Sequence, residues 1–190
     1  MRALILSDIH GSAIAARQAL TFFEKFNCDK IFLLGDTLYH GPRNPLPAGH
    51  GPMGVVDALA PYKGCITAVR GNCDADVDLM MLDMPIEDEY AVVKDSSTTL
   101  FLSHGHIFMP ECFPADALRT LAPSDLELNA LNVDAYIYGH THIWKLEKNF
   151  KGVLLVNPGF EPPQGREPAD LRPLRERDRL LSCQVQHPQA

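Results

Sequence analysis

The sequence predicts an α/β fold built around a parallel sheet. Two short apolar runs, Arg2–Ser7 and Lys30–Leu34, flank a segment whose apolar residues recur at helical spacing. A strand, a helix and a strand within about 35 residues form a βαβ unit, which places its two strands side by side and parallel. Further short apolar runs continue along the chain, and 190 residues suit one domain with a substantial core.

The first half of the chain supplies a third strand and three helices. Ser12 is expected to cap the first helix, and Pro61 is expected to end the second. A loop rich in proline and glycine, His40–Pro52, precedes the second helix and is either part of a substrate pocket or a surface connection. The expected helices are Ser12–Phe26, Gly54–Ala60 and Ala75–Met84, and the expected strand is Cys65–Val69.

The second half predicts more strands and a final segment of different character. A hairpin, a mostly helical segment, another strand and an antiparallel pair are expected in that order. Residues 160–190 have many prolines and arginines and no clear period, so we expect an irregular or partly disordered tail after a single domain of residues 1–159. The expected elements are Tyr90–Val93 with Thr98–Leu102, Pro110–Asn132, Ala135–Tyr138, and Ile143–Phe150 with Val153–Val156.

Composition excludes several classes of protein. The net charge of −7 argues against a general nucleic-acid-binding surface, which would be basic. No apolar run reaches the ~18–20 residues that cross a bilayer, and the N-terminus does not resemble a signal peptide. The five cysteines are scattered without a C-x-x-C pair, which is typical of a protein of the reducing cytoplasm.

Metal-ligand residues follow five of the predicted strands. Asp and His two residues apart on one strand point to the same side, and carboxyl ends of parallel strands meet at one edge of a sheet. Each residue alone could be a helix cap, a turn residue or a structural histidine, but five coincidences favour a metal site. The residues are Asp8 with His10, Asp36, Asn72, His104, and His140 with His142.

This donor set exceeds what one ion requires. It suits two divalent ions that share a bridging carboxylate, the arrangement that clamps the attacking and leaving oxygens of a phosphoryl displacement. Mixed nitrogen and oxygen ligands favour Mn²⁺, Fe, Co²⁺ or Zn²⁺ over Ca²⁺, and the absence of thiolates argues against a structural zinc site. We expect Mn²⁺, with Zn²⁺, Fe, Co²⁺ or Ni²⁺ as the alternatives.

The ordered motifs D-x-H, G-D, G-N-C-D, S-H-G-H and G-H-T-H resemble the calcineurin-like metallophosphoesterase superfamily. Within it the chain is most similar to the small bacterial phosphodiesterase branch, the YfcE type, from Met1 to about Gly159. The resemblance implies a sandwich of two mixed β-sheets flanked by helices in four layers, α/β/β/α. It also implies that Asp36 bridges the two ions. The implied terminal ligands are Asp8, His10 and His142 on the first ion, and Asn72, His104 and His140 on the second.

The resemblance implies a metal-dependent hydrolase for small phosphodiesters, in which a metal-bridged hydroxide attacks the phosphorus. A phosphomonoesterase or a cyclic-nucleotide hydrolase is the alternative within the enzyme class. A scaffold that keeps this fold without its chemistry is the alternative outside it, although such scaffolds lose ligands and this chain keeps all seven. The expected partner is a small phosphorylated substrate, and no membrane association is expected. Assembly into a homo-oligomer is left open.

One position departs from many phosphatases of the superfamily. They carry His after Gly-Asn, where it can protonate the leaving group, and this chain has Cys73. Loss of this histidine is expected to slow the departure of alkoxide leaving groups most, because they need protonation. Cys73 is then either a pocket residue that contacts substrate or a small buried residue, and the second interpretation is favoured. Asp74 and His106 are weaker candidates for proton transfer beside Asn72 and His104. Arg43 is a candidate substrate contact.

The tail is the second departure. The relatives follow Asn-Pro-Gly with Ser and a closing hairpin, whereas this chain has Phe160 and no strand pattern beyond it. The tail is either a lineage feature or the product of a shifted reading frame, which resequencing distinguishes. A missing hairpin would leave a sheet edge unpaired.

Overall fold

Two β-sheets packed face to face form the frame of the protein. The structure is a computed structural model that describes residues 1–42, 44–86, 89–108, 133–148 and 153–159, together with the backbone of 180–182. The α/β fold expected from the sequence is confirmed. The candidate substrate contact Arg43 and the predicted helix Pro110–Asn132 lie outside the described residues.

The described residues form nine strands and three α-helices, with all three helices in the first half of the chain. The strands are β1 (Ala3–Leu6), β2 (Lys30–Leu33), β3 (Ile66–Ala68), β4 (Tyr90–Asp95), β5 (Thr98–Ser103), β6 (Ala135–Ile137), β7 (Lys145–Lys148), β8 (Leu154–Asn157) and β9 (Leu180–Ser182). The helices are α1 (Ala13–Lys25), α2 (Pro52–Leu59) and α3 (Asp76–Leu82), and a 3₁₀ helix covers Ala60–Cys65.

The two sheets differ in strand direction. The first has the order β3-β2-β1-β9, and each of its pairs among the described residues is parallel, whereas the resemblance implied two mixed sheets. The second has the order β4-β5-β6-β8-β7 and is mixed, with an antiparallel pair at each edge. The predicted parallel pairing of the first two strands and both predicted antiparallel pairs are confirmed.

Alternation along β1 divides the core between the two faces of the first sheet. Leu4 and Leu6 pack towards α1 and α2, where they meet residues such as Leu20 and Val55. Ala3 and Ile5 pack towards the second sheet. A strand buried on both faces is a continuous apolar run, which is why the sequence predicts it without a period of two.

Helix α1 begins as the sequence predicts. The Ser12 hydroxyl oxygen accepts a hydrogen bond from the Ala15 amide at 3.3 Å and so satisfies one of the amides that a helix start leaves unpaired. Ala16, Ala19 and Leu20 face the sheet. Among the described residues, no helix combines the length and apolar character needed to cross a membrane.

One expectation is confirmed in part, and another needs correction. The α-helix ends at Leu59, just before Pro61, as expected, but the chain continues as a 3₁₀ helix that the sequence did not predict, because proline is tolerated in the first turn of a helix. The tail was expected to contain no strand, yet Leu180–Ser182 pairs with β1 in parallel, with Leu181 opposite Leu4. This pair covers the edge of β1 that the sequence left open.

Candidate active site

The predicted ligands gather where strands of both sheets end. Asp8 and His10 follow β1, Asp36 follows β2, His104 follows β5, and His140 follows β6. Hydrogen bonds between backbones join the first two of these loops, from the Asp8 amide to Gly35 O at 3.1 Å and from the His10 amide to Asp36 O at 2.8 Å. These contacts between the loops bring residues that are far apart in sequence together at one place, where the strands end.

Five of these residues have a backbone that side chains seldom adopt. Eight described residues other than glycine have a positive φ, and five of the eight are predicted ligands: Asp8, His10, Asp36, His140 and His142, with φ between 50° and 62°. Such strain persists only where the surroundings enforce it, and it is concentrated at functional sites. The loops are thus shaped to aim these side chains.

Asp8 presents one buried oxygen to the centre of the cluster. Its Oδ2 accepts hydrogen bonds from the Ser7 hydroxyl at 2.7 Å and from the His140 amide at 3.0 Å. Its Oδ1 is buried and makes no aligned hydrogen bond with any described residue. The nearest ring nitrogens are Nε2 of His142 at 3.2 Å and those of His10 and His104 at 3.9 Å each.

Two histidines are held by backbone carbonyls behind them. His104 Nδ1 lies 2.7 Å from Leu34 O, and His10 Nδ1 lies 2.9 Å from Tyr39 O. A carbonyl can only accept, so each Nδ1 carries the proton and donates. In the neutral ring, the form that binds a metal, each Nε2 then has a lone pair that faces the carboxylates. This is the tautomer that a metal-ligating histidine requires, fixed in the way that such residues usually are.

Asp36 is held in its ionised form. Its Oδ1 accepts from the Cys73 amide at 2.8 Å, and its Oδ2 lies 3.5 Å from His104 Nε2 and 3.8 Å from His10 Nε2. Burial raises its pKa, but the hydrogen bond and charge of His104, the Cys73 amide and the charge of His10 outweigh this and lower the pKa to about 2. Oδ2 thus faces both imidazoles as a carboxylate oxygen.

Asn72 and Cys73 border the same space. Asn72 Oδ1 lies 3.0 Å from His104 Nε2, and Asn72 Nδ2 lies 3.2 Å from Cys73 Sγ. Burial, and then the negative charge of Asp36, raise the pKa of the Cys73 thiol to about 12. Cys73 is therefore a neutral thiol beside the carboxylates at neutral pH, and it does not act as a thiolate nucleophile in this state.

Asp74 serves the backbone. Its Oδ2 accepts from the amides of Asp36 at 2.8 Å and Gly71 at 2.7 Å, and its Oδ1 accepts from the Thr37 amide at 2.9 Å. The carboxylate ties the loop after β2 to the loop after β3. Burial raises its pKa against the effect of these amides. We interpret Asp74 as a positioning residue, which differs from the proton-transfer role considered from the sequence.

The remaining histidines lie around His104. The ring centroids of His106 and His140 are 5.3 Å and 5.1 Å from that of His104. Burial, followed by the charges of His104 and His140, lowers the pKa of His106 to about 4, so His106 is a neutral imidazole at pH 7. A group that is neutral at pH 7 is poorly suited to be the acid that the sequence suggested.

Glycines allow the loops to approach this closely. A Cβ on Gly71 would collide with the Asp36 side chain and amide, and one on Gly35 would collide with Gly71. A Cβ on Gly139 would collide with the Ser7 hydroxyl. The G-D, G-N-C-D and G-H-T-H motifs thus need glycine because backbone packs directly on ligand groups.

The described residues fit a divalent metal. Three groups of His, Cys, Asp or Glu have ligand atoms within 4.8 Å of one another: Asp8 with His10 and His142, Asp8 with Asp36 and His104, and His10 with Asp36 and Cys73. The first group is the set expected for the first ion. His140 is in none of these groups, and Cys73 joins one although the sequence placed no thiol among the ligands. The bare Asp8 Oδ1 and the two oriented Nε2 atoms are suited to cation binding.

Several supporting residues escaped the sequence analysis. Ser7 orients Asp8, and the carbonyls of Leu34 and Tyr39 orient the histidines. Asn157 is fully buried and donates from Nδ2 to Gly139 O at 2.8 Å and to Thr141 Oγ1 at 3.1 Å, so it holds the loop that carries His140 and His142. The position of Asn157 at a strand end was the one signal available for it.

Comparison with known proteins agrees with this geometry. The model of the calcineurin-like phosphoesterase superfamily domain matches residues 1–170. The chain belongs to this superfamily. The match extends beyond Gly159, where the sequence resemblance was expected to end.

Phosphodiesterase YfcE of Escherichia coli is 39% identical to the chain over 170 residues, which are 89% of this chain and 84% of YfcE. The solved structure of that phosphoesterase superposes with a TM-score of 0.72, at 39% identity, and the match covers 89% of this chain and 85% of the other. The protein is thus a homologue of a phosphoesterase hydrolase, and the sandwich architecture of the family is confirmed.

Two more distant structures share the fold. An archaeal phosphodiesterase is 21% identical, with a TM-score of 0.55 and 84% of each chain covered. Vps29 from Entamoeba histolytica, solved in complex with Zn²⁺, is 23% identical, with a TM-score of 0.54; the match covers 84% of this chain and 74% of that one. At this identity the likeness concerns the fold alone.

Proposed function

We propose that the protein is a divalent-metal-dependent phosphodiesterase that hydrolyses small phosphodiesters at a dinuclear site. The observation that carries this proposal is the pair His10 and His104, each fixed through Nδ1 by a carbonyl so that Nε2 faces the carboxylates of Asp8 and Asp36. The identity with YfcE, a phosphodiesterase, supports the substrate class. Mn²⁺ is the ion we expect in both positions, from the mixed nitrogen and oxygen donors.

The residues divide between the two positions. Asp8, His10 and His142 would hold one ion, Asn72, His104 and His140 the other, and Asp36 would contribute to both. The ions would supply Lewis acidity to the phosphoryl group and activate water for attack. Ser7, Asp74 and Asn157 keep the ligands in place through the hydrogen bonds described above, and His106 lines the wall beside His104.

The absence of a histidine at position 73 sets the preferred leaving group. Cys73 has a pKa of about 12 and His106 a pKa of about 4, so neither is a strong general acid at neutral pH. We therefore propose that substrates with acidic leaving groups, which need no protonation, are hydrolysed fastest.

Hydrolysis of two p-nitrophenyl esters by metal-stripped protein, with and without Mn²⁺, tests the proposal. Bis-p-nitrophenyl phosphate is expected to be turned over only with metal, and faster than p-nitrophenyl phosphate. Asp36→Asn is expected to lower kcat/KM by at least a hundredfold, because it removes a carboxylate shared by both positions.

Asp83→Asn is the matched control, since Asp83 has a similar φ of 50° and a side chain that is 85% exposed. We expect it to keep full activity. A faster reaction of the monoester would favour a phosphomonoesterase. Absence of turnover with every divalent ion, in protein that still binds metal, would favour a scaffold.

A further inference from the structure

An aromatic rim borders the candidate metal centre. Tyr39, His40 and His50 form it, with ring centroids 5.0 Å apart between Tyr39 and His40 and 5.5 Å apart between His40 and His50, both pairs edge to face. The exposed fraction of Tyr39 is 43%, and His50 is also exposed. The exposed phenol ring at the end of this edge-to-face row is available to a ligand.

The rim is joined directly to the metal loops. Tyr39 O lies 2.9 Å from His10 Nδ1, so a residue of the rim is in direct contact with a predicted metal ligand. Gly41, next to His40, packs directly against Cys73, because a Cβ on Gly41 would lie 3.1 Å from Cys73 Sγ. The segment that carries the rings therefore contacts residues of the candidate metal centre at both of these points.

The loop that carries the rim is fixed to the start of α1. His40 O accepts from Asn44 Nδ2 at 2.8 Å, and His50 pairs with Ser12 in an isolated β-bridge. Three further hydrogen bonds join the two segments: Ala13 N to Gly49 O at 3.1 Å, Gly51 N to Gly11 O at 2.8 Å, and Ser12 Oγ to Ala48 O at 2.9 Å. A preorganised surface loses little entropy when it binds a ligand.

Exposed apolar side chains are concentrated around this rim. Nine large hydrophobic side chains are exposed among the described residues. Four of the nine lie on this loop or next to it: Ile14, Tyr39, Leu46 and Met53. Arg43 is the one lysine or arginine in the segment His40–Pro52, which gives the loop little charge for a second phosphate. The surface thus suits a flat, weakly charged group.

We infer that the Tyr39–His40–His50 rim binds an aromatic ring, such as an aryl group or a nucleobase, on the organic part of the phosphodiester. The inference rests on the proposed function, which puts the phosphate on the metal centre. Tyr39 would stack on the aromatic ring of the substrate. This contact would raise the affinity for the substrate although the ring takes no part in breaking the phosphoester bond.

Three phosphodiesters with the same p-nitrophenyl leaving group test this inference in the Mn²⁺-loaded full chain. Their second substituents are benzyl, cyclohexylmethyl and methyl, so reactivity at phosphorus is similar while shape and aromaticity differ. We expect kcat/KM for the benzyl diester to exceed that for the methyl diester by about tenfold, mainly through KM, and to exceed that for the cyclohexylmethyl diester as well.

Variants of rim residues test whether the rim causes the preference for the benzyl diester. Tyr39→Ala is expected to bring the benzyl-to-methyl ratio close to one, and Tyr39→Phe, which keeps the ring, is expected to retain it. Met80→Ala is the control, because Met80 is 80% exposed on α3 and lies outside the rim. Metal content of each variant, measured after dialysis, separates a lost ring from a damaged centre.

Two results would overturn the inference while the proposed function stands. One is equal kcat/KM for the three diesters, and the other is a preference that Tyr39→Ala leaves unchanged. Equal kcat/KM for the benzyl and cyclohexylmethyl diesters would show that the rim selects apolar groups and not aromatic ones. That result would also overturn the inference. If no diester is turned over, the proposed function fails. Calorimetric binding of benzylphosphonate against methylphosphonate then decides the inference, and equal affinities would contradict it.

Discussion

Left-handed backbone at Asp8, His10, Asp36, His140 and His142 is the residue-scale signature of the site. Hydrogen bonds hold two of these side chains in place. The Ser7 hydroxyl fixes Asp8, and the Cys73 amide fixes Asp36. The energy stored in these residues serves to aim donors at a common point before any ligand arrives.

The charge of His104 gives the metal-free protein a measurable pH dependence. Burial lowers the pKa of this residue, but the hydrogen bond with Asp36 and the charges of Asp8 and Asp36 raise it to about 9, from an ordinary value of 6.5. The Asp8 carboxylate, 3.2 Å from His142 Nε2, also raises the pKa of His142. A raised folded-state pKa stabilises the protein below the unfolded pKa, and this contribution is lost as the pH rises through the folded pKa.

We therefore expect the free energy of unfolding of the metal-stripped chain to fall as the pH rises from 6.5 to 9. Urea unfolding followed by circular dichroism at several pH values measures this slope. His104→Gln is expected to flatten it. His106→Gln is the matched control and should keep it, because a residue whose pKa is about 4 does not titrate in this window. A slope that His104→Gln leaves unaltered would contradict the assignment.

Interlocked loops are the feature that matters at the scale of the element. The turns after β1, β2, β3, β5 and β6 carry the ligands, and each is packed against the backbone of another turn. Asp74 joins the second to the third through three amides, and Gly71 lies directly against Asp36. The strands set the approximate positions, and the glycines let the turns come within hydrogen-bonding distance.

Gly71→Ala tests this close approach. A Cβ at this position would collide with the Asp36 side chain and amide, so we expect a loss of about 2 kcal/mol or more in the free energy of unfolding and a large loss of metal affinity. Gly64→Ala is the control, since a Cβ there meets nothing within 4 Å. Denaturation and metal titration of both variants check the prediction. Equal stability of the two variants would contradict it.

The sequence predicts elements well where a local pattern exists. The cap at Ser12, the β1–β2 pair and the β4–β5 hairpin are all confirmed, because each depends on neighbouring residues. Strand β9 was missed, since its pairing with β1 joins residues at opposite ends of the chain and its apolar run is short. The 3₁₀ helix through Pro61 was missed because proline both ends helices and begins them.

At the scale of the whole molecule, two sheets deliver the ligands from the two sides of one cleft. β1 and β2 of the first sheet bring Asp8, His10 and Asp36, and β5 and β6 of the second bring His104 and His140. The core between the sheets, with residues such as Ile5 and Ile137, keeps these edges in register. A site formed from two sheets therefore depends on the packing of the entire domain.

The ligand-type residues of the site could be predicted, because they recur at strand ends in a specific order. The groups that orient these residues could not be predicted. The sequence cannot say that Tyr39 O and Leu34 O face imidazole rings, since any residue offers a carbonyl. It also gave Asp74 a role in proton transfer, whereas the structure uses both carboxylate oxygens to bind amides. The ligand set itself stays a prediction until metal is measured.

Metal stoichiometry tests the central claim most directly. Metal-stripped protein is titrated with Mn²⁺, and bound ions are counted after equilibrium dialysis and examined by electron paramagnetic resonance. We predict two ions per chain with an exchange-coupled spectrum, because Asp36 would bridge them, and loss of the coupling in Asp36→Asn but not in Asp83→Asn. A single uncoupled ion, or coupling that survives Asp36→Asn, would contradict the dinuclear site bridged by Asp36.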